Sequence, residues 1–163
     1  MKTLRRWVLR VLNRVFSDAW ANRLARLISR RAVERIRSEA TDDLLETLLW
    51  AMDVCFCLDT GYRETNLRDF RGSLVFMTSS GDVGATARFE DGAMHVQSRP
   101  SSGFDVRVRF RDAAALRRFL FADSPDVLDS LLVNDVELDG NLNYVYKFGF
   151  MVKDLERRLG LLE

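Results

Sequence analysis

A few side chains in this 163-residue sequence could do chemistry. Cys55 and Cys57, in "CFC", invite a metal or redox reading. The apolar rhythm around them is helical, and on a helix residues two apart point about 200° from each other, so the two thiols do not share a metal. A four-ligand zinc site would need His95 and a carboxylate from elsewhere. Free thiols, buried or half-buried, are the simpler expectation. His95, the single histidine, lies between Met94 and Val96 on a strand whose apolar residues point the other way. It is expected on the outer face of a sheet. Acid–base or nucleophilic work needs a partner within reach. The serines of "TSSGD" (78–82) and "RPSSG" (99–103) fall in loops. There is no Gly-rich phosphate cradle, nucleophile elbow or paired-carboxylate motif. The sequence therefore reads as a binding protein and not an enzyme, with no cofactor and no metal.

Composition agrees with a globular chain, with 47% hydrophobic and 30% charged residues. The net charge of +1 hides an asymmetry. Residues 1–37 carry eleven basic and two acidic groups, and the remainder carries 14 basic and 22 acidic. In the basic segment Leu4, Trp7, Val8, Val11, Leu12, Val15, Phe16, Ala19 and Trp20 keep a three-four rhythm, while Arg5, Arg6, Arg10 and Arg14 fall off that stripe. This is the pattern of a helix lying in a membrane interface. Apolar burial there contributes about 25 cal/mol per Å², and each basic group near an anionic surface adds roughly 1 kcal/mol. Packing against the rest of the chain, or a homodimer contact, would want the same stripe. Nucleic acid is not expected, because no base-reading motif accompanies the arginines.

No apolar run approaches the roughly 20 residues of a membrane span. Arginines interrupt any secretory signal, and the two cysteines fit a reducing compartment. A cytoplasmic location, peripheral to the inner membrane, is expected.

The elements follow from periodicity. Thr41-Asp42-Asp43 caps a second helix through Leu44, Leu45, Leu48, Leu49, Met52 and Phe56, which Asp59-Thr60-Gly61 ends. Tyr62 to Asp69 reads as a polar linker, dividing a helical extension (1–61) from a second domain (62–163). Strands are expected over 73–79, 84–90, 93–98, 104–111 and 135–139. The Asp91-Gly92 pair supplies a hairpin turn, and Phe104, Val106, Val108 and Phe110 share one face of the fourth strand. Helices are expected over 112–122 and 125–133. The last segment reads two ways. Leu142, Tyr144, Tyr146, Phe148, Phe150 and Val152 alternate as in a strand, yet Tyr144, Phe148, Met151, Leu155 and Leu159 form a helical stripe. Asn141 as N-cap and Gly160 as C-terminal stop favour a helix over 141–159. Tyr146 and Phe150 then fall on its opposite side, among Lys153, Asp154 and Arg157, and need a partner. The N-terminal helices, a dimer and a membrane are the candidates. On the outer face of the sheet, Arg88, Arg107, Arg109 and Arg111 are expected to be solvated or paired with Asp42, Asp43, Glu46 and Asp53. An anionic surface is the functional alternative.

The order strand, hairpin, strand, two short helices, strand, Gly, helix resembles the sterol carrier protein 2 (SCP2) family. The likeness rests on "GSLVFMT", "ATARFEDGAMHV", "FDVRVRFRDAAALRRFL" and above all "VELDGNLNYVYKFGF", with Lys147 six residues after Asn141. It covers residues 66–162. The sequence departs from the family in its aromatic last helix, its basic extension and its ending, "LLE".

The resemblance implies an α+β fold, a mainly antiparallel five-stranded sheet covered on one face by helices, with two N-terminal helices added. It also implies an apolar tunnel for a lipid or hydrophobic small molecule, fatty acyl, sterol-like or isoprenoid. Candidates to line it are Phe76, Phe89, Val96, Val108, Phe110, Leu116, Phe119, Leu120, Leu131, Leu132, Leu138, Tyr144, Val145, Phe148 and Met151. The same side chains would suit a closed core. The candidate membrane contacts are Arg5, Arg6, Trp7, Arg10, Leu12, Arg14, Phe16 and Trp20. Two functional alternatives accompany this reading. One is an interaction or dimerisation module with a closed core. The other is an accessory protein that presents isoprenoid lipid to a biosynthetic complex.

Overall fold

In a computed structural model of the chain, the structure describes residues 44–81, 83–121 and 134–160. Helices α1 (Leu44–Leu58) and α2 (Thr60–Leu67) come first. Strands β1 (Gly72–Thr78), β2 (Gly84–Glu90), β3 (Ala93–Gln97) and β4 (Val106–Phe110) follow. The chain continues with helix α3 (Ala113–Phe121), strand β5 (Val136–Gly140) and helix α4 (Leu142–Leu159). The helix expected over 125–133 lies outside the described residues, as do Thr41-Asp42-Asp43 and the basic segment.

The strands form one open five-stranded sheet in the order β3-β2-β1-β4-β5. β1 and β4 run parallel, and the other neighbours are antiparallel. Asp91 (φ 51°) and Gly92 (φ 67°) both turn left-handed, as a two-residue hairpin requires. The register sets two faces. Leu74 lies opposite Ala87 and Val106, and Phe76 opposite Ala85 and Val108, so these residues share the helix-covered face. The connection from β3 to β4 must cross β2 and β1. It does so on the other face, where Thr86 Oγ1 donates to Arg99 O at 2.9 Å and accepts from Ser101 N at 2.9 Å. Ser73 Oγ donates to Gly103 O at 3.3 Å. This crossing accounts for the burial of Val75 and its neighbour Thr86 on a face that is otherwise polar.

The long aromatic segment is a helix. Asn141 Oδ1 accepts from Asn143 N at 3.0 Å, and Gly160 closes the helix at φ 67°. One turn of α4 per 3.6 residues places Val145, Phe148, Met151, Val152, Leu155 and Leu159 together, and all are buried.

The stretch read as a polar linker is mostly α2. Asp59 caps it, its Oδ1 accepting from Tyr62 N at 2.8 Å. Eight polar-rich residues do not make a stable helix alone. Tertiary contacts hold this one. Tyr62 is fully buried, stacks on Phe56 at 4.4 Å and donates to Met151 O at 2.8 Å. Leu45, Leu48, Leu49, Met52 and Phe56 join the same core as the sheet and α4.

Candidate ligand-binding groove

α3 starts where Asp112 Oδ1 accepts from Ala115 N at 2.7 Å. That backbone hydrogen bond, with Arg111 adding to it, holds the Asp112 carboxyl below its usual range. The helix then carries Phe119 and Leu120 to the flank of α4. Between them and Val145, Tyr146, Phe148, Gly149, Phe150, Val152 and Lys153 runs an apolar groove of about 210 Å³. Gly149 forms part of its floor, and a Cβ built there meets no atom within 4 Å. Among the described residues Lys153 is the one charged side chain along it, 3.4 Å from Glu156. Tyr146 is 40% exposed and Phe150 70% exposed. The groove can take up apolar chain by burial and offers few polar anchors. Its volume lies below the roughly 300–1,000 Å³ of drug-sized pockets, so as it stands it accommodates part of a lipid tail.

Of the residues expected to line a cavity, Phe119, Leu120, Val145 and Phe148 meet at this groove. Phe76, Val108, Phe110, Leu116 and Met151 are buried in the core instead. Phe76 packs on Phe148 at 4.8 Å and Phe110 on Phe119 at 5.4 Å, so rings fill the layer between groove and sheet. Phe89 and Tyr144 lie elsewhere, around Phe70 at 5.1 and 5.6 Å. The Tyr144 ring lies directly over Gly72, where a Cβ would come within 2.1 Å of it. Val96 and Leu138 are half-buried on β3 and β5. Leu131 and Leu132 lie outside the described residues, as do Arg5, Arg6, Trp7, Arg10, Leu12, Arg14, Phe16 and Trp20. Sequence reasoning missed Gly149, Val152 and Lys153 as lining residues. It singled out Tyr146 and Phe150 only as rings in need of a partner. The readable signal was Gly149 itself, since a mid-helix glycine costs about 1 kcal/mol relative to alanine and so asks for a reason.

The polar candidates settle differently. Arg107 pairs with Asp139 at 3.6 Å, Arg109 with Glu137 at 3.0 Å and Arg111 with Asp135 at 2.9 Å. These partners come from β5 and the residue before it. His95 faces the outer side, paired in register with Arg88 and 3.9 Å from Glu90. Cys55 is buried and Cys57 half-buried. Among the described residues no cluster of three or more His, Cys, Asp or Glu could hold a metal. Among the same residues no helix is long and apolar enough to cross a membrane.

At the groove's far side a polar knot ties α2 to α4. Asn66 Nδ2 donates to Asp154 Oδ2 at 2.9 Å and to Tyr62 O at 3.0 Å. Arg158 reaches Asp154 at 3.0 Å and Asp59 at 3.3 Å. Burial raises the Asp154 pKa, but hydrogen bonds from Arg157, Asn66 and Arg158 outweigh it and hold the carboxyl below its usual range. Burial likewise pushes the Tyr62 phenol well above its ordinary value.

An open mixed sheet with this strand order, packed with helices, is the kind of α+β architecture that the SCP2 resemblance implies. The chain is similar to several solved structures. It matches a UbiJ-SCP2 ubiquinone synthesis protein at 16% identity and TM-score 0.46, over 59% of this chain and 78% of that one. It matches sterol carrier protein 2 at 15% identity and TM-score 0.46, over 71% and 95%. It also matches a double mutant of the sec-alkyl sulfatase PisA1 at 15% identity and TM-score 0.50, over 68% of this chain but only 16% of the sulfatase. These are likenesses of fold. No protein-family model and no curated protein matches the sequence.

Proposed function

We propose that this protein binds the hydrocarbon part of a lipid or another hydrophobic small molecule in the groove between α3 and α4, as a binding protein and not an enzyme. The observation that carries the reading is the groove's chemistry. Among the described residues it is an apolar channel that includes a glycine, walled by two exposed aromatic rings and edged by a single lysine. Aromatic rings left in water and a helix weakened by glycine are both unfavourable, and a bound acyl or isoprenoid chain relieves the first. The unit that binds is residues 44–160, because α1 and α2 share its core. The basic segment, through Arg5, Arg6, Trp7, Arg10, Leu12, Arg14, Phe16 and Trp20, then holds this unit at an anionic membrane surface on the cytoplasmic side. An accessory role, presenting an isoprenoid lipid to a biosynthetic complex, is compatible with the same groove. The rings that fill the layer between groove and sheet favour a second reading, a closed interaction module.

Uptake of a soluble fluorescent acyl probe separates the two. The wild type is expected to take up the probe. Gly149→Leu is expected to fill the groove and lose uptake while staying folded, since leucine is about 1 kcal/mol better than glycine in a helix. No uptake by the wild type, together with no lipid in organic extracts of the purified protein, leaves the closed module.

A further inference from the structure

The outward face of α4 has a composition that the groove alone does not require. At about 100° per residue, Lys153, Tyr146, Arg157, Phe150 and Lys147 fall within an arc of about 120°. Asn143 and Asp154 complete that arc. Phe150 is 70% exposed, the most exposed large hydrophobic side chain among the described residues, and Tyr146 stands one turn before it. The acidic groups of this stretch are turned inward. The Asp154 side chain is 11% exposed and held by Asn66, Arg157 and Arg158, and that of Glu156 is 3% exposed beside Lys153. Arg157, by contrast, has 72% of its side chain in solvent. The face therefore presents two rings beside the exposed Arg157, with Lys147 and Lys153 half-buried at its edges and its carboxylates turned inward.

We propose that this face of α4 docks on an anionic lipid bilayer, with Phe150 and Tyr146 entering the interface and Lys147, Lys153 and Arg157 meeting lipid phosphates. Charge chooses the occupant. A second copy of the chain would bring the same cations against these, whereas an anionic surface complements them. The aromatic rings suit the interface for the same reason that they are poorly placed in water. Because Tyr146 and Phe150 are also walls of the groove, docking lays the groove's mouth against the lipid. A chain then passes from bilayer to groove without crossing water. That purpose rests on the ligand-binding reading above; the contact itself does not.

The test uses the full chain with the photo-crosslinker p-benzoylphenylalanine in place of Phe150, irradiated on phosphatidylcholine–phosphatidylglycerol vesicles. A lipid adduct is expected. It should fall about fivefold or more with Lys147→Glu, a residue that does not line the groove, and fall again at high salt. In the Gly149→Leu background the adduct should persist, because it comes from the bilayer and not from a lipid inside the groove. Adducts that map to a second copy, or to residues 1–43 of the same chain, overturn the proposal. So does the absence of a lipid adduct from protein that sediments with the vesicles. Probe uptake is read in parallel. A lipid adduct from a protein that takes up no probe and yields no lipid on extraction supports this contact and removes the groove reading. Uptake without an adduct does the reverse.

Discussion

Two residues carry consequences that can be measured singly. Gly140 joins β5 to α4 at φ 108°, and a Cβ there would sit 2.2 Å from Asp105 O. Neither backbone can yield, because Asn141 N donates to that same oxygen at 3.0 Å. Gly140→Ala is expected to lower the free energy of unfolding by at least about 2 kcal/mol, read by urea denaturation. Asp154 is the hub of the α2–α4 knot, with a pKa held down by its donors. A carboxyl depressed in the folded state stabilises above its unfolded pKa and loses that contribution as pH falls through the folded value. Asp154→Asn should therefore cost roughly 1.5–3 kcal/mol near neutral pH. The gap between the two proteins should shrink as pH falls below about 4, measured by denaturation across pH.

At the scale of elements, α4 does two jobs with two faces. Its buried stripe closes the core over Phe76, and its outer flank forms groove and rim. Gly149 is where these demands meet. The Gly149→Leu change separates them, because thermal stability should hold or rise while probe uptake disappears. A fall in stability would show that the space beside Gly149 is not free. The ambiguity of this segment was genuine. Six alternating apolar positions fit a strand as well as a helix. The decision came from its ends, where Asn141 caps and Gly160 stops, and both are local chemistry readable from residue type. α2 was not readable. Its sequence, TGYRETNL, has the composition of a connector, and only the docking of Tyr62, Asn66 and Leu67 makes it a helix.

At the scale of the molecule, α1 belongs to the sheet's core. Leu45, Leu48, Leu49, Met52, Phe56 and Leu58 are each no more than 2% exposed. At about 1.5–3 kcal/mol for each fully buried large apolar side chain, their loss is as large as a typical total stability, which is about 5–15 kcal/mol. A chain beginning at residue 62 is therefore expected not to fold cooperatively, read by circular dichroism and by the absence of a sharp urea transition. A cooperative transition from that fragment would show that residues 62–163 fold as a domain of their own.

Sequence alone determined the order of the five strands with α1, α3 and α4, the Asp91-Gly92 hairpin, the caps of α4 and the two-sided character of β4. All of these are set by residue type and by periods of two or 3.6 over a few neighbouring positions. Tertiary structure decided which of many equally suitable apolar side chains face an opening and which face each other. Phe76 and Phe119 looked alike in sequence, yet only Phe119 also lines the groove. It also decided that the arginines of β4 find their partners on β5, and that a polar stretch becomes a helix. Such outcomes depend on pairings between residues far apart in the chain, and the interior asks for the same hydrophobic residues whether it closes on itself or on a guest.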